Sequence, residues 1–276
     1  MIKANYHTHL VYCNHAVGHA QDYILEAIKN HFVEIGITDH APVLECLMTK
    51  EEYQRNWCYQ PMKLDTMYQY YLKEVKEAKE TFKNQISVLV GFETEYLPQN
   101  LFFIQKLRKE VDYLNLGIHF FQYQNQVLNS YDDVNYKTIE GYLDACIEGM
   151  KTGLFNTLVH PDLFMFNYKS VNGKREFDEV CEDVSRKIIE ASIEYDIYLE
   201  INANGIKNTA LFSNETNWLY PDKSFWQIVK EYKDAKIIIG ADAHDPKHLA
   251  NEHVEMVCKF AEELGLSVEE RMVIKH

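Results

Sequence analysis

Seven short β-branched apolar runs alternate along this chain with longer segments of helical period, and that alternation limits the folds open to it. Strands are read at Ile2–His7, Val33–Thr38, Ile86–Phe92, Val111–Gly117, Asn156–Val159, Ile197–Ile201 and Lys236–Gly240. Helices fall between them at Gln21–Asn30, Leu64–Lys83, Pro98–Arg108, Tyr136–Thr152, Asp178–Glu194 and Lys223–Tyr232. A last helix, Asn251–Leu264, stops at Gly265, as helix C-termini often do. Seven βα units predict a parallel barrel one strand short of the eight-stranded form, closed by right-handed crossovers. An open doubly wound sheet shares the alternation, but no Gly-rich phosphate loop follows the first strand. The 276 residues suit one domain spanning 1–276, and no repeat or flexible linker divides them.

The strand ends carry the chemistry. The first run closes in His7-Thr8-His9, with His15 soon after; the second ends Thr38-Asp39-His40 and the third Phe92-Glu93. His119 follows the fourth, His160-Pro161-Asp162 the fifth, and Asp242-Ala243-His244 the seventh, while the sixth offers Glu200 and Asn202. In a parallel barrel these ends share one face, where catalytic groups gather. His7 and His9 lie two apart on an extended chain, so both imidazoles point the same way, and Asp242 and His244 repeat the pattern on the strand that closes the barrel. One strand-end histidine is ordinarily structural; seven of twelve on one face point to bound metal. Imidazole with carboxylate suits Zn, Mn or Fe better than Ca. His19 is read as a helix N-terminal residue rather than a first-loop ligand competing with His15. Tyr68–Tyr71 and Phe120-Phe121 are read as packing residues, with Phe121 also a candidate for the pocket wall.

Composition narrows the substrate and the setting. A net charge of −14 repels nucleic-acid backbones and anionic membranes, so a small molecule is expected. An anionic substrate would need the field reversed locally, which bound cations would do. The six cysteines form no C-x-x-C pair, and Met1–Tyr6 enters a strand pattern without an apolar leader. Reduced thiols and a cytoplasmic location are the expectation. The segments Ala41–Met62 and Ala203–Asp222 are long connections of the kind that cover active sites, Ala41–Met62 being a candidate lid.

Taken in order, His7-Thr8-His9, His15, Thr38-Asp39-His40, Glu93, His119, His160 and Asp242-Ala243-His244 resemble the polymerase-and-histidinol-phosphatase (PHP) superfamily over nearly the whole chain. Gly91-Phe92-Glu93-Thr94-Glu95-Tyr96, His160-Pro161-Asp162-Leu163, and Leu199-Glu200-Ile201-Asn202 with a loop to Tyr220-Pro221 resemble its histidinol-phosphatase branch. The resemblance implies a distorted (βα)7 TIM-like barrel binding three divalent metal ions. The first ion would lie between His7, His9, Glu93 and Asp242. The second would share Glu93 and add His119 and His160, and the third would take His15, His40 and His244. It further implies a phosphate-monoester hydrolase, with L-histidinol phosphate as the specific expectation and a hydroxide between two ions as nucleophile. Asp39 and Asp162 are candidates for the general acid or for orienting neighbouring histidines. Glu95, Asp162 or Asn204 would meet the cationic end of the substrate. Another small phosphate ester (a nucleotide, cyclic phosphate or sugar phosphate) and, further off, amide or lactone hydrolysis are the rival readings. Metal storage or sensing without catalysis fits an open barrel mouth poorly.

Overall fold

The computed structural model describes residues 2–42, 67–206, 218 and 220–274. Seven parallel strands form a nearly closed barrel in the order β1 (Ala4–Asn5), β2 (Glu34–Ile37), β3 (Ser87–Thr94), β4 (Tyr113–Leu116), β7 (Thr157–Leu158), β8 (Tyr198–Asn202) and β9 (Lys236–Gly240). Each predicted strand is present, several shortened at the ends. The first and last strands meet above their C-terminal ends: Thr8 bridges Ala243 in parallel, and the His9 amide donates to the Ala243 carbonyl at 2.8 Å. Below that bridge the Asn5 side chain completes the seam, accepting from the Ala241 amide at 2.7 Å.

The helices are α1 (Ala20–Lys29), α2 (Met67–Phe82), α3 (Leu101–Arg108), α4 (Ile139–Lys151), α5 (Glu179–Glu194), α6 (Lys223–Val229) and α7 (Glu252–Leu264). Their ends follow local chemistry. Asp178 and Asn251 cap α5 and α7 by accepting two backbone amides each, and Gly265 ends α7 in the left-handed conformation. The helix predicted from Pro98 opens as a 3-10 turn, and the one predicted from Tyr136 starts at Ile139. His19 is the N-cap of α1, as read from the sequence. Tyr71 on α2 donates to the Ile37 and Gly91 carbonyls, fastening that helix to β2 and β3.

Two features lie outside the seven-unit plan. A β-hairpin, β5 (Phe120–Tyr123) with β6 (Gln126–Asn129), follows β4 on the C-terminal side of the barrel. At the N-terminal end of the strands a second core cluster gathers Ala4, Tyr6, Tyr113, Tyr198, Ile238 and Met272. The C-terminal segment closes over it, with the Met272 and Val273 amides donating to the hydroxyls of Tyr6 and Tyr198. That end is therefore packed, and functional groups are left to the other. The segment 43–62 of the candidate lid, and 207–217 with 219 of the second long connection, lie outside the described residues. The described cysteines, Cys13, Cys146, Cys181 and Cys258, are free thiols.

Candidate metal centre

The C-terminal ends of the strands deliver the predicted side chains into one cluster. His7, His9, Glu93, His119, His160 and Asp242 are all buried there, with His40 beside them and His244 half-buried at the rim. His160 (φ 34°) and Asp242 (φ 45°) both hold left-handed backbone, an unfavourable conformation for such residues that the barrel imposes where their side chains must turn inward.

His7 Nε2, His9 Nε2, Glu93 Oε2 and Asp242 Oδ1 converge on one point. The two nitrogens are 3.1 Å apart. Glu93 Oε2 is 3.3 Å from His7 Nε2 and 3.5 Å from His9 Nε2, and Asp242 Oδ1 is 3.6 and 3.0 Å from the same two atoms. Four ligands about 2.1 Å from a tetrahedral zinc stand about 3.4 Å apart, so these spacings fit a shared ion. Glu93 also faces the other way. Its Oε1 lies 3.3 Å from His119 Nε2 and 3.0 Å from His160 Nε2, so one carboxylate serves two sets of nitrogens.

The third expected set is less regular. His15 lies at the exposed rim, its ring 4.9 Å from that of His244 and 5.2 Å from that of His40. Ligand atoms of His9, His40 and His244, rather than His15, come within 4.8 Å of one another. His40 also turns Nδ1 toward Glu93 Oε2 at 3.1 Å, which sets it between the first set and the rim.

Outer partners fix which ring nitrogen faces inward. His7 Nδ1 meets both oxygens of Glu200 at 3.0 Å, and His119 Nδ1 meets Glu95 at 2.7 Å. His15 and His244 offer Nδ1 to the carbonyls of Cys13 and Asp242. In each ring Nε2 is left to point at the cluster, the arrangement that second-shell acceptors give to metal-ligating histidines. Asn202 and Asn204 donate to Asp242 Oδ2 at 3.2 and 3.1 Å, turning Oδ1 inward. Among the described residues Glu93 Oε2 and Asp242 Oδ1 are buried without a hydrogen bond, and such buried carboxylate oxygens are costly unless a cation completes them. Burial pushes both carboxyls up, but His119 and His7 hold Glu93, and His7 and His9 hold Asp242, well below the carboxylate range. Burial and the neighbouring His9 keep His40 and His244 well below the usual imidazole range, in the neutral form that binds metal. These buried clusters of His, Asp and Glu are consistent with multiple metal sites.

The remaining expected residues are placed as follows. Asp39 accepts from the His40 amide and stands 3.7 Å from His9 Nδ1, an orienting position. Asp162 Oδ2 accepts from the Asp222 amide at 2.5 Å and Trp226 Nε1 at 3.2 Å, leaving Oδ1 without a hydrogen bond, and burial pushes its pKa up to about 7. The expected substrate contacts lie among partners of their own. Glu95 is taken up by His119 and Asn204 by Asp242, while the Phe121 ring is wholly buried in the core, edge-on to Tyr142. Glu200 and Asn202 acquire a duty that strand-end position marked without defining. Tyr131, stacked 6.0 Å from His119, had no functional signal in the sequence, and Tyr220, 5.9 Å from His160, was marked there only as the end of a loop in the family resemblance.

Comparison with known proteins agrees with this geometry. The chain is 24% identical over 264 residues to a probable histidinol-phosphatase of Schizosaccharomyces pombe, covering 88% of this chain and 83% of that protein. It is 23% identical over 276 residues to the histidinol-phosphatase of Bacillus subtilis, covering 88% and 94%. In fold it is similar to the histidinol phosphate phosphatase of Lactococcus lactis, solved with zinc, L-histidinol and phosphate, with a TM-score of 0.65 at 17% identity over 96% of this chain and 95% of that one. No helix among the described residues is long and apolar enough to cross a membrane. The PHP domain model matches residues 5–204, and the chain belongs to the PHP family.

Proposed function

We propose that this PHP-family phosphoesterase hydrolyses L-histidinol phosphate to L-histidinol and phosphate, using three divalent ions. The observation that carries the reading is the divided Glu93 carboxylate, with Oε2 among His7, His9 and Asp242 and Oε1 among His119 and His160. Ions held there would lower the pKa of bound water from about 15.7 toward about 7 and offset charge on the phosphoryl oxygens. His7, His9, Glu93 and Asp242 form the first ligand set, and Glu93, His119 and His160 the second. His40 and His244 belong to the third, with His15 reaching it from the rim.

The chain's own groups supply the rest. Glu200, Glu95 and the Asn202–Asn204 pair hold ring and carboxylate orientations, so the site needs little rearrangement during turnover. Asp162 is the aspartate suited to protonate the departing alkoxide. Its Oδ1 has no hydrogen bond among the described residues and burial pushes its pKa up to about 7, so a proton is available near neutrality; Asp39 Oδ2 is likewise without one and burial raises that carboxyl too, but Asp39 faces His9 Nδ1 and the His40 amide. The names of the two curated relatives and of the Lactococcus lactis structure support histidinol phosphate as the ester.

A panel of phosphate monoesters tests the reading on metal-loaded protein. Chelation is expected to abolish turnover and Mn or Zn to restore it. Histidinol phosphate should exceed nucleotide, cyclic and sugar phosphates in kcat/KM by orders of magnitude. A flat, weak profile would instead make this a general phosphoesterase, and full activity without metal would overturn the metal-dependent reading.

A further inference from the structure

Tyr220 is built into the mouth of the metal cluster without an evident structural duty for its hydroxyl. It closes the long connection after β8, and its ring lies 5.9 Å from that of His160. The residue is only 5% exposed. Among the described residues, no group hydrogen-bonds its hydroxyl. Its hydroxyl is not one of the fully buried polar atoms, so although the ring is buried the O–H stays open to a ligand.

The surrounding backbone is shaped for this ring. A Cβ on Gly205 would stand 2.3 Å from Tyr220 Cδ2 and 2.4 Å from its Cγ, so only glycine lets the ring lie against that turn. Gly205 is in the 3-10 turn Asn204–Ile206, directly after the asparagine that turns Asp242. One turn therefore seats both a proposed ligand's partner and the phenol. Across the second ligand set, Tyr131 stacks on His119 with rings 13° from parallel, so the two histidines are flanked by two tyrosines. A hydroxyl beside a dinuclear ligand set, with no acceptor among the described residues, meets whatever tetrahedral anion binds there.

We infer that Tyr220 is a phosphate-binding residue, donating its phenolic hydrogen bond to a non-bridging oxygen of the phosphoryl group, in the ester and in inorganic phosphate alike. The inference rests on the phosphoesterase reading but not on which alcohol the ester carries. A hydrogen bond to an anionic oxygen in a water-poor site corresponds to about tenfold to a hundredfold in affinity. Because the donor meets both ground state and transition state, its loss should raise KM and weaken product binding together.

The test compares wild-type protein with Tyr220→Phe and Gly205→Ala, all zinc-loaded, by calorimetry with inorganic phosphate and by turnover of p-nitrophenyl phosphate. Tyr220→Phe is expected to bind phosphate about ten- to a hundredfold more weakly with zinc content unchanged. Gly205→Ala, which displaces the ring, should weaken phosphate in the same way. Wild-type phosphate affinity in Tyr220→Phe would overturn the inference while leaving the phosphoesterase reading intact. A zinc-loaded wild type that neither binds phosphate nor cleaves the ester would overturn both.

Discussion

Glu200 and His7 meet through both carboxylate oxygens, each 3.0 Å from the imidazole Nδ1, although they stand 193 positions apart in the chain. The pair lies at 1% and 0% exposure, so its ion–dipole character is undiluted by water. Asn202 donates to Glu200 Oε1 at 2.7 Å and to Asp242 Oδ2 at 3.2 Å, which joins the outer partners of two proposed first-ion ligands. Glu200→Gln keeps the shape and removes the charge that raises the basicity of the imidazole. The expected result is a loss of about 10- to 100-fold in zinc affinity at the first set, read by competition with a chromophoric chelator. Unchanged affinity would show that Glu200 is packing alone.

Gly117 gives a second prediction, from space rather than charge. A Cβ there would stand 2.3 Å from Glu93 Oε1 and 2.9 Å from His119 Cε1. The carboxylate shared between the two sets cannot yield without leaving His7 or His160. Gly117→Ala should therefore reduce zinc content by at least one ion per chain while circular dichroism stays native. Full occupancy in elemental analysis would contradict the bridging role of Glu93.

These two relationships differ in how far the sequence exposes them. His7, His9, Glu93, His119, His160 and Asp242 were readable because parallel strands deliver their last residues to one face, so position along each β-run stands in for position in space. Glu200 was visible as a strand end, but nothing in sequence says which histidine it serves. That pairing is set by the barrel's closure, since β8 and β1 are separated only by β9. Tyr220 and Gly205 depend on a close approach that no periodicity encodes. The β5–β6 hairpin escaped for a different reason: it turns at Gln124 (φ 55°) and Asn125, not at the Asn-Gly or Asp-Gly pair that marks a tight hairpin. His15 is harder to place from sequence, because its reach depends on a rim loop, Asn14 and His15 being exposed, rather than on a strand.

Asp162 separates general-acid chemistry from structural support. Its Oδ2 satisfies the Asp222 amide and Trp226 Nε1, and its unengaged Oδ1 is the oxygen proposed to carry the proton. Asp162→Asn keeps an acceptor for the two N–H groups and abolishes acid function. Turnover of an alkyl ester such as histidinol phosphate should fall by about 10²- to 10⁴-fold, the usual worth of a positioned acid. p-Nitrophenyl phosphate, whose phenolate leaves without a proton, should lose far less. Equal losses on both esters would remove Asp162 from the chemistry. Asp162→Ala should in addition lower stability by about 2–4 kcal/mol in urea titrations, since two buried donors lose their acceptor.

Metal binding and folding should be coupled through the same buried carboxylates. Among the described residues Glu93 Oε2 and Asp242 Oδ1 face imidazole nitrogens but accept no hydrogen bond, so an ion that completes them binds the native state and has no equivalent site in the unfolded chain. At a free zinc concentration about 100 times Kd, one site adds about 2.7 kcal/mol. At about 2–4 °C per kcal/mol for a domain of this size, chelator-treated protein should gain about 5–10 °C in Tm per ion on reloading. The gain should climb with the logarithm of free zinc, and Glu93→Ala, which removes a ligand from two sets at once, should lose most of it. A melting temperature indifferent to zinc from micromolar to millimolar would mean that the cluster is held by its own hydrogen bonds and that no ion completes it.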